Sequence, residues 1–147
     1  MKGAGRVKLP RTVKMTGMQF ESQFCEFLKE FGYWALNIPK NKYGAQPFDV
    51  VAIHGNEIFA VDCKVCSTDL FQLERVEDNQ WLAFQMVNER TNAKTGIMAY
   101  YKGDVYYLPY VVLCAYVRDG LKSIKLTKLK PYWSKDDIKD VMGRYLE

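Results

Sequence analysis

Pro47-Phe48-Asp49-Val50-Val51-Ala52-Ile53, then His54-Gly55-Asn56-Glu57, then Ile58-Phe59-Ala60-Val61-Asp62-Cys63-Lys64 is the stretch whose reading decides the fold. Two apolar, β-branched runs flank a Gly-Asn pair, which predicts an antiparallel hairpin closed by a two-residue turn. With Gly55 and Asn56 in the turn, His54 faces Glu57, and counting back along both strands puts Asp49 opposite Asp62. Directly opposed residues on one face have Cβ atoms roughly 5 Å apart, and two like charges there are destabilising unless something positive stands between them. A divalent metal ion supplies that charge. Side chains alternate along a strand, so Asp62 and Lys64 share a face while Cys63 points to the other. The lysine can then reach a phosphate bound by the metal.

The competing reading is an ordinary core hairpin that happens to carry two acids. Val50, Val51, Ala52, Ile53, Ile58, Phe59, Ala60 and Val61 leave both faces apolar, the signature of strands covered on both sides. Carboxylates in such a setting are rare unless paired or bound to metal. The layout is that of a metal-dependent phosphodiesterase.

Around this hairpin the periodicity predicts further elements. A helix from Met18 to Phe31 stops at Gly32 and carries Phe20, Phe24, Phe27, Leu28 and Phe31 on one face. At about 100° per residue, Glu21 falls roughly 70° from the middle of that stripe, whereas Glu26 and Glu30 lie on the far side, toward solvent. Glu21 is thus the acid of this helix that can face the sheet edge. Tyr33 to Ile38 reads as a first strand, followed by a polar loop from Pro39 to Gln46. Its Lys40 and Lys42 either touch a DNA backbone or merely decorate a connection.

Val65 to Glu77, with Ser67 near its start, reads as a flexible segment that could touch phosphate. A second helix covers Asp78 to Arg90 with Trp81, Phe84 and Val87 toward the core, and Gln80 falls on that face, where its amide needs a partner. Gly96 to Tyr101 and Val105 to Leu108 form another hairpin around Lys102-Gly103-Asp104. Tyr110 to Arg118 is a helix, Ser123 to Thr127 a closing strand, and Ser134 to Tyr145 a final helix capped by Ser134. Strands bracketed by helices predict an α/β class with a mixed β-sheet flanked by helices.

Gly17-Met18-Gln19-Phe20-Glu21, Pro47-Phe48-Asp49, Asp62-Cys63-Lys64 and Asp78-Asn79-Gln80, taken in order, resemble the four motif elements of the PD-(D/E)xK nuclease superfamily. Within it the chain is similar to the RecU-like and archaeal-type Holliday junction resolvases. RecU-like enzymes insert a long stalk between two of these strands. The loop here is short, which makes the compact archaeal type the better comparison.

The resemblance implies a restriction-endonuclease-like core and a structure-selective endonuclease that resolves four-way DNA junctions by phosphodiester hydrolysis as a homodimer. It implies catalytic roles for Glu21, Asp49, Asp62, Lys64 and Gln80. Asp49, Asp62, Glu21 and the backbone carbonyl of Cys63 would hold one or two Mg²⁺ ions, hard cations that prefer oxygen, with Mn²⁺ able to substitute. Gln80 would lie near the metal and help hold the lysine or a water. Two other readings share these residues: a different endonuclease of the superfamily, restriction-like or serving repair or replication, and a non-catalytic DNA-binding module on a decayed nuclease fold.

Length and charge agree with one such domain. The 147 residues can bury a core without disulfides or structural metal, and residues 17–147 read as a single nuclease domain. Residues 1–16 read as a flexible basic arm. The first 20 residues carry Lys2, Arg6, Lys8, Arg11 and Lys14 and no acid, a charge of +5, against −1 for the remainder. Arg6, Lys8, Arg11 and Lys14, with Lys40, Lys42 and Ser67, are the candidate contacts to branched or duplex DNA through phosphate neutralisation.

No apolar run is long enough to span a bilayer, and no secretory leader is legible, so no membrane partner and a cytoplasmic location are expected, the host cytoplasm if the protein is phage-encoded. The four cysteines are scattered and do not form a disulfide framework. Cys63-x-x-Cys66 lacks a second ligand pair and reads as buried, reduced thiols. The tyrosine-rich strands, Tyr100, Tyr101, Tyr106 and Tyr107 among them, read as core or dimer surface rather than base-stacking platforms.

Overall fold

The expected hairpin closes at Gly55-Asn56 in a computed structural model that describes residues 15–40 and 46–134. Gly55 takes a φ of +60° while Asn56 stays negative, the sign pattern of a type II′ turn whose twist matches the strands it joins. Strand β1 (Trp34–Asn37) lies outside β2 (Val50–His54), which pairs antiparallel with β3 (Glu57–Val65) in register from Val50↔Val61 to His54↔Glu57. That register carries Asp49 to the position across from Asp62.

Beyond β3 the chain crosses the sheet and returns parallel to it. After the short strand β4 (Leu70–Gln72) and helix α2 (Asp78–Arg90; helix α1 spans Gly17–Glu30), β5 (Lys94–Tyr101) pairs with β3 from Phe59↔Lys94 to Val65↔Tyr100. A parallel neighbour requires such a crossover, and α2 forms part of it. Strand β6 (Asp104–Pro109) folds back on β5 through Lys102-Gly103, both at positive φ, 48° and 88°. The result is a mixed five-stranded sheet of order β1-β2-β3-β5-β6. Helix α3 (Tyr110–Arg118) follows β6 directly.

Alternation along the strands builds a core on each face. Phe59, Val61 and Cys63 of β3 and Val50 and Ala52 of β2 meet Phe20, Phe24 and Leu28 of α1 on one side. Ile97 and Ala99 of β5 and Leu108 of β6 meet Phe84 of α2 and Leu113 of α3 on the other. The expectation that both faces of the hairpin are covered is met only on the α1 side, since on the other face Ile53 is exposed and Val51 and Ile58 are half-buried. Gly96 has a structural duty here, because a Cβ at that position would stand 2.2 Å from the carbonyl oxygen of Leu108. Cys25, Cys63 and Cys66 are buried and free, and Cys114 is free. No described helix is long and apolar enough to cross a membrane.

Several expectations need correction. The first helix begins at Gly17 and ends at Glu30 because Thr16 caps it: the Gln19 N–H donates to Thr16 Oγ1 at 3.1 Å, and Thr16 N–H donates to Gln19 Oε1 at 2.9 Å. Phe31, expected on the apolar face, is half-exposed beyond that end, with its ring against Phe27. The first strand is Trp34–Asn37, shorter than expected at both ends.

Val65 to Glu77 is not a loose segment. Phe71, Leu73 and Val76 are buried, β4 pairs with β7 (Ser123–Lys125), and the Asp69 carboxylate accepts from Thr127 N–H at 2.8 Å and Thr127 Oγ1 at 2.6 Å. The strand expected at Ser123 to Thr127 consequently closes this separate two-stranded ribbon, and a 3₁₀ turn takes over from Leu126 to Lys128. In α2, Phe84 is fully buried while Trp81 and Val87 are only partly covered. The basic arm up to Lys14 and the final helix beyond Ser134 lie outside the described residues.

Candidate active site

Asp49 sits just before β2, where the pairing departs from a regular ladder. In a regular strand the N–H and C=O of one residue face the same neighbour. Here Asp49 N–H donates to the Val61 carbonyl at 2.9 Å, while its own carbonyl accepts from Ile38 N–H at 2.8 Å on the opposite side. The chain twists at that residue, as β-bulges do when they re-aim a side chain. Its carboxylate is turned along β3, where Oδ2 accepts from Cys63 N–H at 2.8 Å. By the same strand rule, the Cys63 carbonyl faces this side too.

Asp62, two residues from Lys64 on one face of β3, is buried beside Asp49. Burial, followed by the neighbouring Asp49, pushes Asp62 up to about 8, so Asp62 keeps its proton at neutral pH in the absence of a cation. Lys64 Nζ approaches Asp62 Oδ2 to 3.1 Å. The approach lies off hydrogen-bond direction, so that oxygen is buried without a hydrogen-bond partner. An orphaned carboxylate oxygen facing an ammonium is a place where further positive charge is stabilising.

Glu21 reaches the same edge from α1 and is buried, as the helical angle requires. Burial raises its pKa, and a hydrogen bond from Lys40 acts against that rise. Lys40 Nζ lies 3.0 Å from Glu21 Oε2 and 3.0 Å from Asp49 Oδ1, bridging the helix and the strand. Partial burial works to lower the lysine's pKa, but its bonds to Glu21 and Asp49 outweigh that and raise it. Three buried carboxyl groups and two lysines thus converge from α1, β2, β3 and the loop after β1. Among the described residues no three acid, histidine or cysteine groups yet close on one point as metal ligands do. The Lys40 ammonium stands between two of these acids, Glu21 and Asp49.

The remaining candidates are placed as follows. Gln80 is buried at the third position of α2, where its Oε1 accepts from Glu77 N–H at 3.0 Å and completes a helix cap. Ser67 is exposed just past β3. Arg6, Lys8, Arg11, Lys14 and Lys42 lie outside the described residues. Lys40 was legible in the sequence only as a loop lysine. No local pattern marks its contact with two acids nine and nineteen positions away.

Residues 12–115 match the family model described as archaeal Holliday junction resolvase (Hjc), a span that holds Glu21, Lys40, Asp49, Asp62, Lys64 and Gln80. The fold is similar to a 1.6 Å structure of Archaeoglobus fulgidus Hjc, described as a Holliday junction resolvase from an archaeal hyperthermophile. The TM-score is 0.52 at 17% identity, over 65% of this chain and 78% of that one. No curated protein matches the chain significantly.

Proposed function

We infer the working of the site from one premise: the chain belongs to the archaeal Holliday junction resolvase family. Its function is that of a junction resolvase, a nuclease acting on four-way DNA. The observation that carries the chemical reading is the contact between Asp49 and Asp62 at the sheet edge, with Glu21 and Lys64 beside it.

The donor set fits a hard cation, because Asp49, Asp62, Glu21 and the Cys63 carbonyl offer only oxygen and one of those oxygens is buried without a hydrogen-bond partner. These groups would hold Mg²⁺, with Mn²⁺ as a substitute. Such an ion, when bound, supplies positive charge for the pentacovalent phosphate and acidifies water. Asp62 would hold the ion as its carboxylate. Lys64, partly buried on the same face, orients the attacking water and offsets the negative charge that develops on the phosphate. Gln80 steadies the start of α2 through its cap on Glu77.

On this reading residues 17–147 form one nuclease domain preceded by a basic arm. Arg6, Lys8, Arg11, Lys14, Lys42 and Ser67 contribute phosphate contacts. Resolution needs two cuts and each site makes one, so the working unit is a homodimer acting on chromosomal or phage DNA in the cytoplasm. α2 leaves Leu82 and Met86 exposed one turn apart, an apolar patch that a second copy would cover.

The test is cleavage of a labelled synthetic four-way junction with Mg²⁺, in competition with linear duplex of the same sequence. Paired, symmetric cuts in the junction are expected. Equal cutting of duplex would point to another endonuclease of the superfamily, and absence of divalent binding by calorimetry to a non-catalytic DNA-binding module.

A further inference from the structure

We propose that Lys40 is the resident counter-ion of the metal-free site, and that binding of a divalent ion expels its ammonium from between Glu21 and Asp49, freeing it for a substrate phosphate. The inference rests on the metal-site reading above and adds to it an exchange of one cation for another.

Geometry and exposure carry it. The Glu21 and Asp49 side chains are only 8% and 6% exposed, whereas that of Lys40, bonded to both, is 56% exposed. The acids are therefore built into the fold and cannot rehydrate, while the lysine reaches them from outside and can withdraw at little cost. Two carboxyl groups drawn from separate elements, α1 and the start of β2, share this ammonium at 3.0 Å as their common positive partner among the described residues. A hard divalent ion binds carboxylate oxygen about 1 Å closer than an ammonium does, so the two cannot occupy the gap together.

The lysine's place in the chain gives the exchange a consequence. Lys40 closes the described part of the loop after β1 and is three residues from Asn37, the last residue of that strand. Released, its side chain stays at the mouth of the site with its charge in water. A long, flexible ammonium in that position meets the phosphate backbone as a point charge. Occupancy of the site by the ion is thereby coupled to an extra electrostatic contact with DNA.

The experiment uses the full chain without DNA. Mg²⁺ binding is measured by calorimetry for the unmodified protein and for Lys40→Met, with thermal melting of both in chelator and in excess Mg²⁺. Lys40→Met should bind Mg²⁺ about five- to tenfold tighter, the value of one accessible pair of ion contacts removed from competition. Its metal-free form should melt lower, and Mg²⁺ should close most of that gap. In the unmodified protein, reductive methylation read by mass spectrometry should label Lys40 several-fold faster once Mg²⁺ is added, while Lys29, paired with Glu26 on α1, keeps its rate.

The methylation rate decides the matter if the variant does not fold. An affinity that is unchanged or weaker in Lys40→Met, or a Lys40 whose reactivity ignores bound Mg²⁺, overturns the exchange while leaving the metal site standing. Failure of both proteins to bind Mg²⁺ or Mn²⁺ overturns the metal site itself and the exchange with it.

Discussion

Asp62→Asn separates what the site costs the fold from what it does for catalysis. The substitution keeps the shape of the side chain and removes its charge. In the metal-free protein Asp62 is held at about 8 by burial and by Asp49, against an ordinary value of 3.8. A tenfold change in proton affinity is worth 1.36 kcal/mol, so the full displacement caps the penalty for the ionised form at about 6 kcal/mol. Relaxation of the site and the nearby Lys64 reduce this, and an effect of about 2 kcal/mol is expected.

The sign follows from proton binding. A carboxyl whose pKa is raised on folding binds its proton more tightly in the native state, so its contribution is intact below about pH 4 and is lost as pH rises through about 8. Urea unfolding in chelator should therefore show the unmodified protein losing stability from about pH 4 upward, the loss levelling off as native Asp62 ionises near pH 8. Asp62→Asn should flatten that slope, be the more stable protein at pH 8 and cut no junctions. A slope that persists undiminished in Asp62→Asn, or a variant less stable than the parent at pH 8, would refute the assignment of a strained, buried carboxyl at this position.

Lys64→Met should lower junction cleavage at saturating Mg²⁺ by about a hundredfold or more while leaving junction binding in gel shift nearly unchanged, since the lysine acts on the reacting groups rather than on the duplex. Gly96→Ala should lower stability by about 3 kcal/mol or prevent folding, because its Cβ would collide with the Leu108 carbonyl of the neighbouring strand β6; denaturant titration checks this. Thr16→Ala should cost about 1 kcal/mol through loss of the α1 cap, read in the same titration, without altering the cleavage pattern.

Much of this protein was legible from local sequence, because the interactions responsible are themselves local. A Gly-Asn turn between alternating strands sets register by chain geometry alone, so the pairing of His54 with Glu57, and hence the approach of Asp49 to Asp62, needed no knowledge of the rest of the fold. The spans of α2 and α3 follow likewise from periodicity. The helical angle of Glu21 sufficed to separate it from Glu26 and Glu30.

Tertiary structure decided whatever depends on partners distant in the chain. Leu70-Phe71-Gln72 is too short to read as a strand, and its hydrogen-bonding partner lies more than fifty residues later at β7. The twist at Asp49 arises from competition between Ile38 and Val61 for one residue's backbone. Lys40 found its acids on a helix and at the start of a strand that only folding brings together, and the raised pKa of Asp62 exists only where burial removes water. Periodicity and turn chemistry therefore brought Glu21, Asp49, Asp62 and Lys64 together as candidates. Desolvation and long-range packing set their charge and which cation stands among them.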